Sequence, residues 1–326
     1  MIQPVKALRL NGILLLCLLL AMLLSLMAGK VWVAPGMWFG NDFGALIIME
    51  LRIPRTLLGV IIGAGLGMAG ATMQGYLRNP LADPGIFGVS SSAALGAVTS
   101  LYFGYAVTAW LLPGFALAGA AVGMGLLALL AGRSGSLILF TLAGVIISSL
   151  AGALTSLMIS LAPTPFATAE IVNWLMGALT DRSWEDVRIA APIVAIGMLF
   201  LLACGRSLDA LTLGQDTARS LGVNINRLQW LVIAGVGLTV GVSVAVAGII
   251  GFVGLIVPHL VRPLAGHQPS AILLPSALAG ALLLVVADSL VRILPSVSEL
   301  RLGIAMALLG APFFMMLLFK MHRELT

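Results

Sequence analysis

The sequence predicts an all-α membrane protein with about ten transmembrane helices. Of its 326 residues, 60 % are hydrophobic and only 9 % are charged, a balance foreign to water-soluble proteins of this length. Runs such as "GILLLCLLLAMLLSLMAG" (12–29) and "WLVIAGVGLTVGVSVAVAGIIGFVG" (230–254) carry no charge. Each is long enough to cross a hydrocarbon core, which takes ~20 apolar residues, range about 17–25. In lipid the backbone must satisfy its own hydrogen bonds, so runs of this length are helices rather than strands. Loop signals between them are short, and residues 1–326 read as one transmembrane domain with no soluble module.

Breaks in the apolar runs place the spans at about 11–33, 56–77, 86–104, 107–131, 137–161, 189–205, 229–249, 251–264, 271–293 and 302–319. Lys6 and Arg9 before the first run raise a secretory signal as an alternative, but the run is long and "LMAGKVW" is a poor cleavage site, so an uncleaved first span is expected. The second span, with "GVIIGAGLGMAGATMQG" (59–75), spaces small residues as tightly packed membrane helices do. In "RNPLADPG" (78–85), Pro80 and Pro84 stop a helix while Asn79 and Asp83 favour turns. Ser90, Ser91 and Ser92 then cap the third span or face a polar conduit. The eighth span is short and holds Pro258.

With the N-terminus inside, ten basic residues fall on the cytoplasmic side: Lys6, Arg9, Arg78, Arg133, Arg206, Arg219, Arg227, Arg262, Lys320 and Arg323. Seven fall outside: Lys30, Arg52, Arg55, Arg182, Arg188, Arg292 and Arg301. The bias sets both termini in the cytoplasm. Its small size marks the outer side as richer in arginine than topology demands. The net charge of +5 reflects these loops, and no nucleic-acid partner is expected. Cys17 and Cys204 lie in apolar runs and read as buried small residues.

No phosphate-binding G-x-x-x-x-G-K-[ST] occurs, so the chain has no ATPase site of that kind and is not expected to be an enzyme. His259, His267 and His322 have no metal-ligand spacing, and no bound cofactor is expected. Asp288 is the one charged residue well inside a span, with Arg292 four positions on, the spacing of an intrahelical ion pair. The scarcity of other ionisable groups within spans speaks against the competing reading of an ion-driven secondary transporter. A membrane scaffold or receptor without transport is the other competitor. It gives no reason for "LDALTLGQDTARSLGVNINRLQW" (208–230), the most polar long stretch. There, Gly214 and Gly222 bound "QDTARSL", which reads as a short amphipathic helix with Ala218 and Leu221 on one side, suited to docking in a partner's groove.

Together, "RIPRTL", "GATMQGYLRNPLADPGIFGVSSSAALGA", "WLMGAL" (174–179), "LTLGQDTARSLGV", "GFVGLIVPHLVR" (251–262), "ADSLVRIL" and "LGAPFF" (309–314) resemble the permease subunits of bacterial ABC importers for iron chelates and vitamin B12, over nearly the whole chain. The resemblance implies the type II importer fold of the vitamin B12 permease, with ten spans per subunit in the inner membrane. It implies a second copy of the chain, two cytoplasmic ATP-binding-cassette subunits that use the ATP, and a periplasmic substrate-binding protein. Coupling to the ATPase falls to the loop at about 206–228, through Leu213, Gly214, Asp216, Ala218, Arg219, Leu221 and Gly222. Arg52, Arg55 and Arg292 match positions that face the periplasm and dock the binding protein. The path is expected on the fifth and tenth spans, with Ser148, Ser149, Thr155 and Ser156 supplying polarity. For these hydroxyls, interhelical hydrogen bonding is the alternative use. The expected cargo is an iron–siderophore or haem, with cobalamin as the alternative. His259 lies in a shared motif and reads as structural.

Overall fold

The computed structural model describes residues 3–38, 43–105, 108, 110–131, 136–295 and 299–325. Helix α1 (Gln3–Met27) leads through a 3-10 turn, Pro35–Met37, to α2 (Phe43–Leu46). A π-helical segment, Ile47–Arg52, joins α2 to α3 (Ile53–Leu77). Pro54, in the first turn of α3, has no N–H to give to the turn before it; the Met49 carbonyl there is taken instead by the Trp184 indole N–H at 2.9 Å. The helix ends at Arg78 in the left-handed conformation (φ 52°). Asp83 then caps a 3-10 turn, Pro84–Phe87, by accepting from the Gly85 N–H at 2.6 Å.

The chain continues through α4 (Val89–Tyr102), α5 (Leu111–Ala131), α6 (Leu137–Ser160) and α7 (Pro165–Leu175). Then follow α8 (Trp184–Ala203), α9 (Gly205–Leu211), α10 (Gln215–Ser220) and α11 (Ile225–Ala247). The last are α12 (Val253–Ala265), α13 (Pro269–Ile293) and α14 (Leu302–Leu325). Each of the ten expected spans coincides with one helix: α1, α3, α4, α5, α6, α8, α11, α12, α13 and α14. Six of them, α1, α5, α6, α8, α11 and α13, carry an apolar stretch long enough to cross a membrane by length and composition.

Three boundaries differ from expectation for local reasons. Helix α8 starts at Trp184 because Ser183 and Asp186 form a reciprocal capping box, which lets a charged first turn belong to the helix. Helix α7 occupies what reads as a loop, with Thr164 capping it and Pro165 opening it. The serines 90–92 do not cap α4; its N-cap is Gly88 (φ 85°), and Ser92 is buried beside Gly119 and Gly123 of α5. Arg133, counted above among the cytoplasmic basic residues, lies outside the described residues.

Helices α3 and α11 form the centre. α3 packs on α13, α8, α12 and α11, and it is buried along almost its whole length. Its glycines allow this. Gly63 and Gly67 meet Gly280 of α13 backbone to backbone, and a Cβ at Gly70 would overlap the carbonyl oxygen of Gly254 in α12. Gly70→Ala is therefore expected to destabilise the bundle by about 1–3 kcal/mol, as overpacking does. Gly12→Ala, where nothing lies within 4 Å, is the matched control. Thermal unfolding of the two variants in detergent checks this; equal midpoints would mean that the helices can part without loss.

Candidate functional site

Two polar assemblies occupy opposite ends of the bundle, joined by α3 and α13, each 25 residues long and so about 37 Å.

At the first end the three expected arginines come together, but turned inward. Arg52, Arg55 and Arg292 are 7 %, 9 % and 4 % exposed. Arg52 closes the end of α1. Its Nη1 donates to the carbonyls of Leu26 at 2.7 Å and Met27 at 2.8 Å, and its Nη2 to that of Val31. Leu26 and Met27 stand in the last turn of α1, where a helix leaves its carbonyls without a helical donor; Val31 lies just beyond it. Arg55 grips Asp288 with Nε (3.1 and 3.0 Å) and Nη2 (2.8 Å), the two-pronged geometry of guanidinium on carboxylate. Its Nη2 also reaches Glu299 Oε2 at 2.9 Å. Arg292 Nε lies 3.2 Å from Asp288 Oδ2, the expected i,i+4 pair, and its Nη2 donates to Ser25. Ser25 in turn shares a 2.9 Å hydrogen bond with Thr56. Thr180 donates to Glu299 at 3.1 Å.

All three side chains are turned into the bundle rather than displayed on its surface. They are held inside because Arg55 and Arg292 share Asp288, Arg55 also takes Glu299, and Arg52 is satisfied by backbone carbonyls at the end of α1. Burial alone would raise the Glu299 pKa. Hydrogen bonding and the charge of Arg55, with Thr180 and Arg292 adding, hold it below the ordinary carboxylate value, so the group is ionised at neutral pH. Beside this cluster lies a surface cavity of about 400 Å³ lined by Glu170, Asn173, Asp181, Arg182 and Arg301 among others. Burial lowers the pKa of Arg182 against the pull of Asp186 and Asp181. Arg188 is exposed nearby on α8.

At the other end, α9 is pinned to the start of α13. Asp209 Oδ1 accepts from the Ser270 N–H at 2.8 Å; Oδ2 accepts from Ser270 Oγ at 2.6 Å and from Gln268 at 2.7 Å. From this base projects α10, bounded as expected by Gly214 (φ 105°) and Gly222 (φ 86°), both in the left half of backbone space that side chains rarely tolerate. Ala218 is fully buried beneath it. Leu221 does not share that side: it is 62 % exposed, with Leu213 at 64 %. Asp216 and Arg219 form an exposed pair at 3.3 Å. A pair like this contributes little to stability.

On α6 the four expected polar residues separate. Thr155 is buried and donates to its own helix, at Ala151 O, 2.8 Å. Ser148 is half-buried. Ser149 and Ser156 stand on an open face with Gly152, against which nothing packs within 4 Å. Thr155 is thus removed from any shared polar stripe, because it is buried and its hydroxyl is taken by its own helix.

Comparison with known proteins gives consistent relatives. The profile of the FecCD transport family matches residues 17–320. The vitamin B12 import system permease protein BtuC of Salmonella typhimurium is 38 % identical over 310 residues, 94 % of each chain; that of Salmonella typhi matches equally. A solved structure reported as an inward-facing conformation of a transporter assigned to the metal-chelate ABC type superposes with a TM-score of 0.88. It is 33 % identical, over 96 % of this chain and 99 % of the other. PsaBC from Streptococcus pneumoniae, solved with a Fab, shares the fold alone, with a TM-score of 0.59 and 19 % identity over 83 % of this chain and 92 % of the other.

Proposed function

Because the chain belongs to the FecCD transport family, we propose that it is the permease subunit of an ABC importer that carries a bulky metal chelate, an iron–siderophore or haem, into the cytoplasm. The observation that carries this reading is α10. It is a short helix held out from the bundle between two positive-φ glycines, with Leu213 and Leu221 exposed on either side. A chain without a phosphate loop needs its energy delivered from outside, and an exposed apolar pair on a rigid base suits insertion into a partner's groove.

In this reading both termini and α10 lie in the cytoplasm, and the arginine cluster faces the periplasm. Two copies of the chain pair across the open faces of α6 and α14, with Ser149 and Ser156 nearest the path. Two ATPase subunits dock on the α10 helices. ATP binding favours one arrangement of the pair over the other, and this differential affinity is what moves the spans. A substrate-binding protein delivers cargo at the arginine end. Arg188 is the exposed cation there, with Arg182 and Arg301 half-buried beside it, and Arg52, Arg55 and Arg292 fix the shape of the surface on which it lands.

Cobalamin is the second reading, supported by the 38 % identity to the Salmonella vitamin B12 permease. ATP-dependent uptake into proteoliposomes holding this chain with its cognate ATPase separates the two. Haem, a ferric siderophore and cobalamin are offered in turn, each on its own binding protein. Uptake of an iron chelate alone is expected. Uptake of cobalamin alone would replace the cargo, and uptake that continues without the ATPase would replace the class.

A further inference from the structure

We infer that the end of the bundle near α9 carries a binding site for a phosphate group, built from Arg78, Arg262 and His267. These residues line a cavity of about 260 Å³ together with Gln74, Thr212 and Pro269. The three side chains, two guanidinium groups and an imidazole, arrive from three elements: the C-terminal cap of α3, the last turn of α12, and the turn between α12 and α13. They unite two motifs that transport itself leaves unexplained, "RNPLADPG" and "GFVGLIVPHLVR".

Arg262 is aimed rather than loose. Gln74 is 2 % exposed, and its amide nitrogen donates to the backbone of Leu255 at 3.2 Å and Gly254 at 3.4 Å. That leaves its Oε1 to accept from Arg262 Nη2 at 2.7 Å. Among the described residues no carboxylate lies within ion-pair distance of Arg78, Arg262 or His267, and none of the residues lining the cavity is acidic. This is unusual beside the arginine cluster at the other end, where carboxylates are supplied. The helix dipoles supply only part of the missing charge: α3 and α12 end at the cavity and α13 begins there, which leaves about half a negative charge against two guanidinium groups.

An anion with several acceptor oxygens fits two guanidinium groups and an imidazole lining one cavity, and a phosphate matches guanidinium groups in both charge and geometry. The wall adds Ala71, Gly75 and Ile272, apolar enough to pass the glycerol end of a lipid. On α12, Leu260 and Leu264 are exposed where acyl chains would lie. Basic pockets between membrane helices hold anionic headgroups in this way. The headgroup of an anionic phospholipid is the favoured source and free phosphate the other.

The test uses the full chain in nanodiscs and does not depend on transport. Native mass spectrometry and thermal unfolding compare phosphatidylglycerol with phosphatidylcholine, with and without millimolar inorganic phosphate. The variant is Arg78→Gln with His267→Gln, two exposed positions whose loss leaves the fold intact; Arg262→Gln is the second. Phosphatidylglycerol is expected to remain bound to the wild type and to raise its unfolding temperature, with affinity falling about tenfold in the double variant. If inorganic phosphate alone gives the same rise with no lipid retained, the site stands and its ligand is the free anion. If neither anion distinguishes the wild type from both variants, the site is overturned.

Discussion

Asp288→Ala is expected to destabilise the protein by about 3–5 kcal/mol, and Glu299→Ala by only about 1 kcal/mol. Asp288 is 2 % exposed and serves two guanidinium groups at once, Arg55 through both prongs and Arg292 through Nε. Removing it leaves two cations in an apolar bundle, with Glu299 to serve only one of them. A buried charge whose partner is deleted suffers its full loss of hydration, which exceeds the attraction the pair once supplied. The Glu299 side chain is 23 % exposed, and Arg55 keeps Asp288 when Glu299 is gone. Solvent screens what is lost. Asp288→Asn, which keeps shape and drops charge, should fall between the two. Thermal and urea unfolding in detergent, with uptake measured on whatever folds, ranks all three. If Asp288→Ala and Glu299→Ala unfold together, the cluster is not what holds that end.

The contrast between the two carboxylates also explains what was legible in the sequence. The pair Asp288–Arg292 is four residues apart on one helix, and helical periodicity alone predicts it. Arg55 and Asp288 are 233 positions apart, and no local pattern can join them. The three arginines were visible as an excess of charge, but charge does not say which way a side chain turns. At a membrane surface an unpaired arginine is expected to seek water. Here Asp288, Glu299, Ser25 and the carbonyls of Leu26 and Met27 made burial the better solution, and each of these acceptors depends on tertiary packing. Glu299 and Thr180 carried no motif of their own; a carboxylate a few residues before a span was the one signal available.

The helices themselves were easier. A span is set by the length of its apolar run, which is a property of the sequence, and all ten coincide with helices. The misplacements came where polar residues begin a helix rather than end one. Ser183 with Asp186 and Thr164 with Pro165 are capping signals that could have extended α8 and revealed α7. Hydropathy suppresses both, because it scores Glu185 and Asp186 as loop. On α10 the glycine boundaries were readable, since only glycine holds φ near 105° or 86° without strain. The side to which Leu221 turns was not. The helix closes at Ser220, and the leucine leaves its periodicity as the C-cap.

The exposed Leu221 sharpens the proposed coupling surface. Leu213→Asp with Leu221→Asp should leave the permease folded while weakening its hold on the ATPase by about 3 kcal/mol, roughly a hundredfold in dissociation constant. Both side chains are more than 60 % exposed, so the folded chain alone gains little from them. Docked in an apolar groove each would bury most of its surface, and a carboxylate in its place would have to be stripped of water. Asp216→Asn and Arg219→Gln, which break only the exposed pair, should change affinity by less than about fivefold, because such pairs contribute under about 1 kcal/mol. The two leucines flank a helix anchored through the buried Ala218, and α9 beneath it is tied to α13 by Asp209. Force applied to the leucines is thereby carried to a helix that runs the full bundle and ends in the arginine cluster. The variant should therefore also abolish stimulation of ATP hydrolysis by the loaded binding protein, even at ATPase concentrations high enough to restore assembly in part. Unchanged affinity, with stimulation intact, would place the ATPase contact elsewhere on that face.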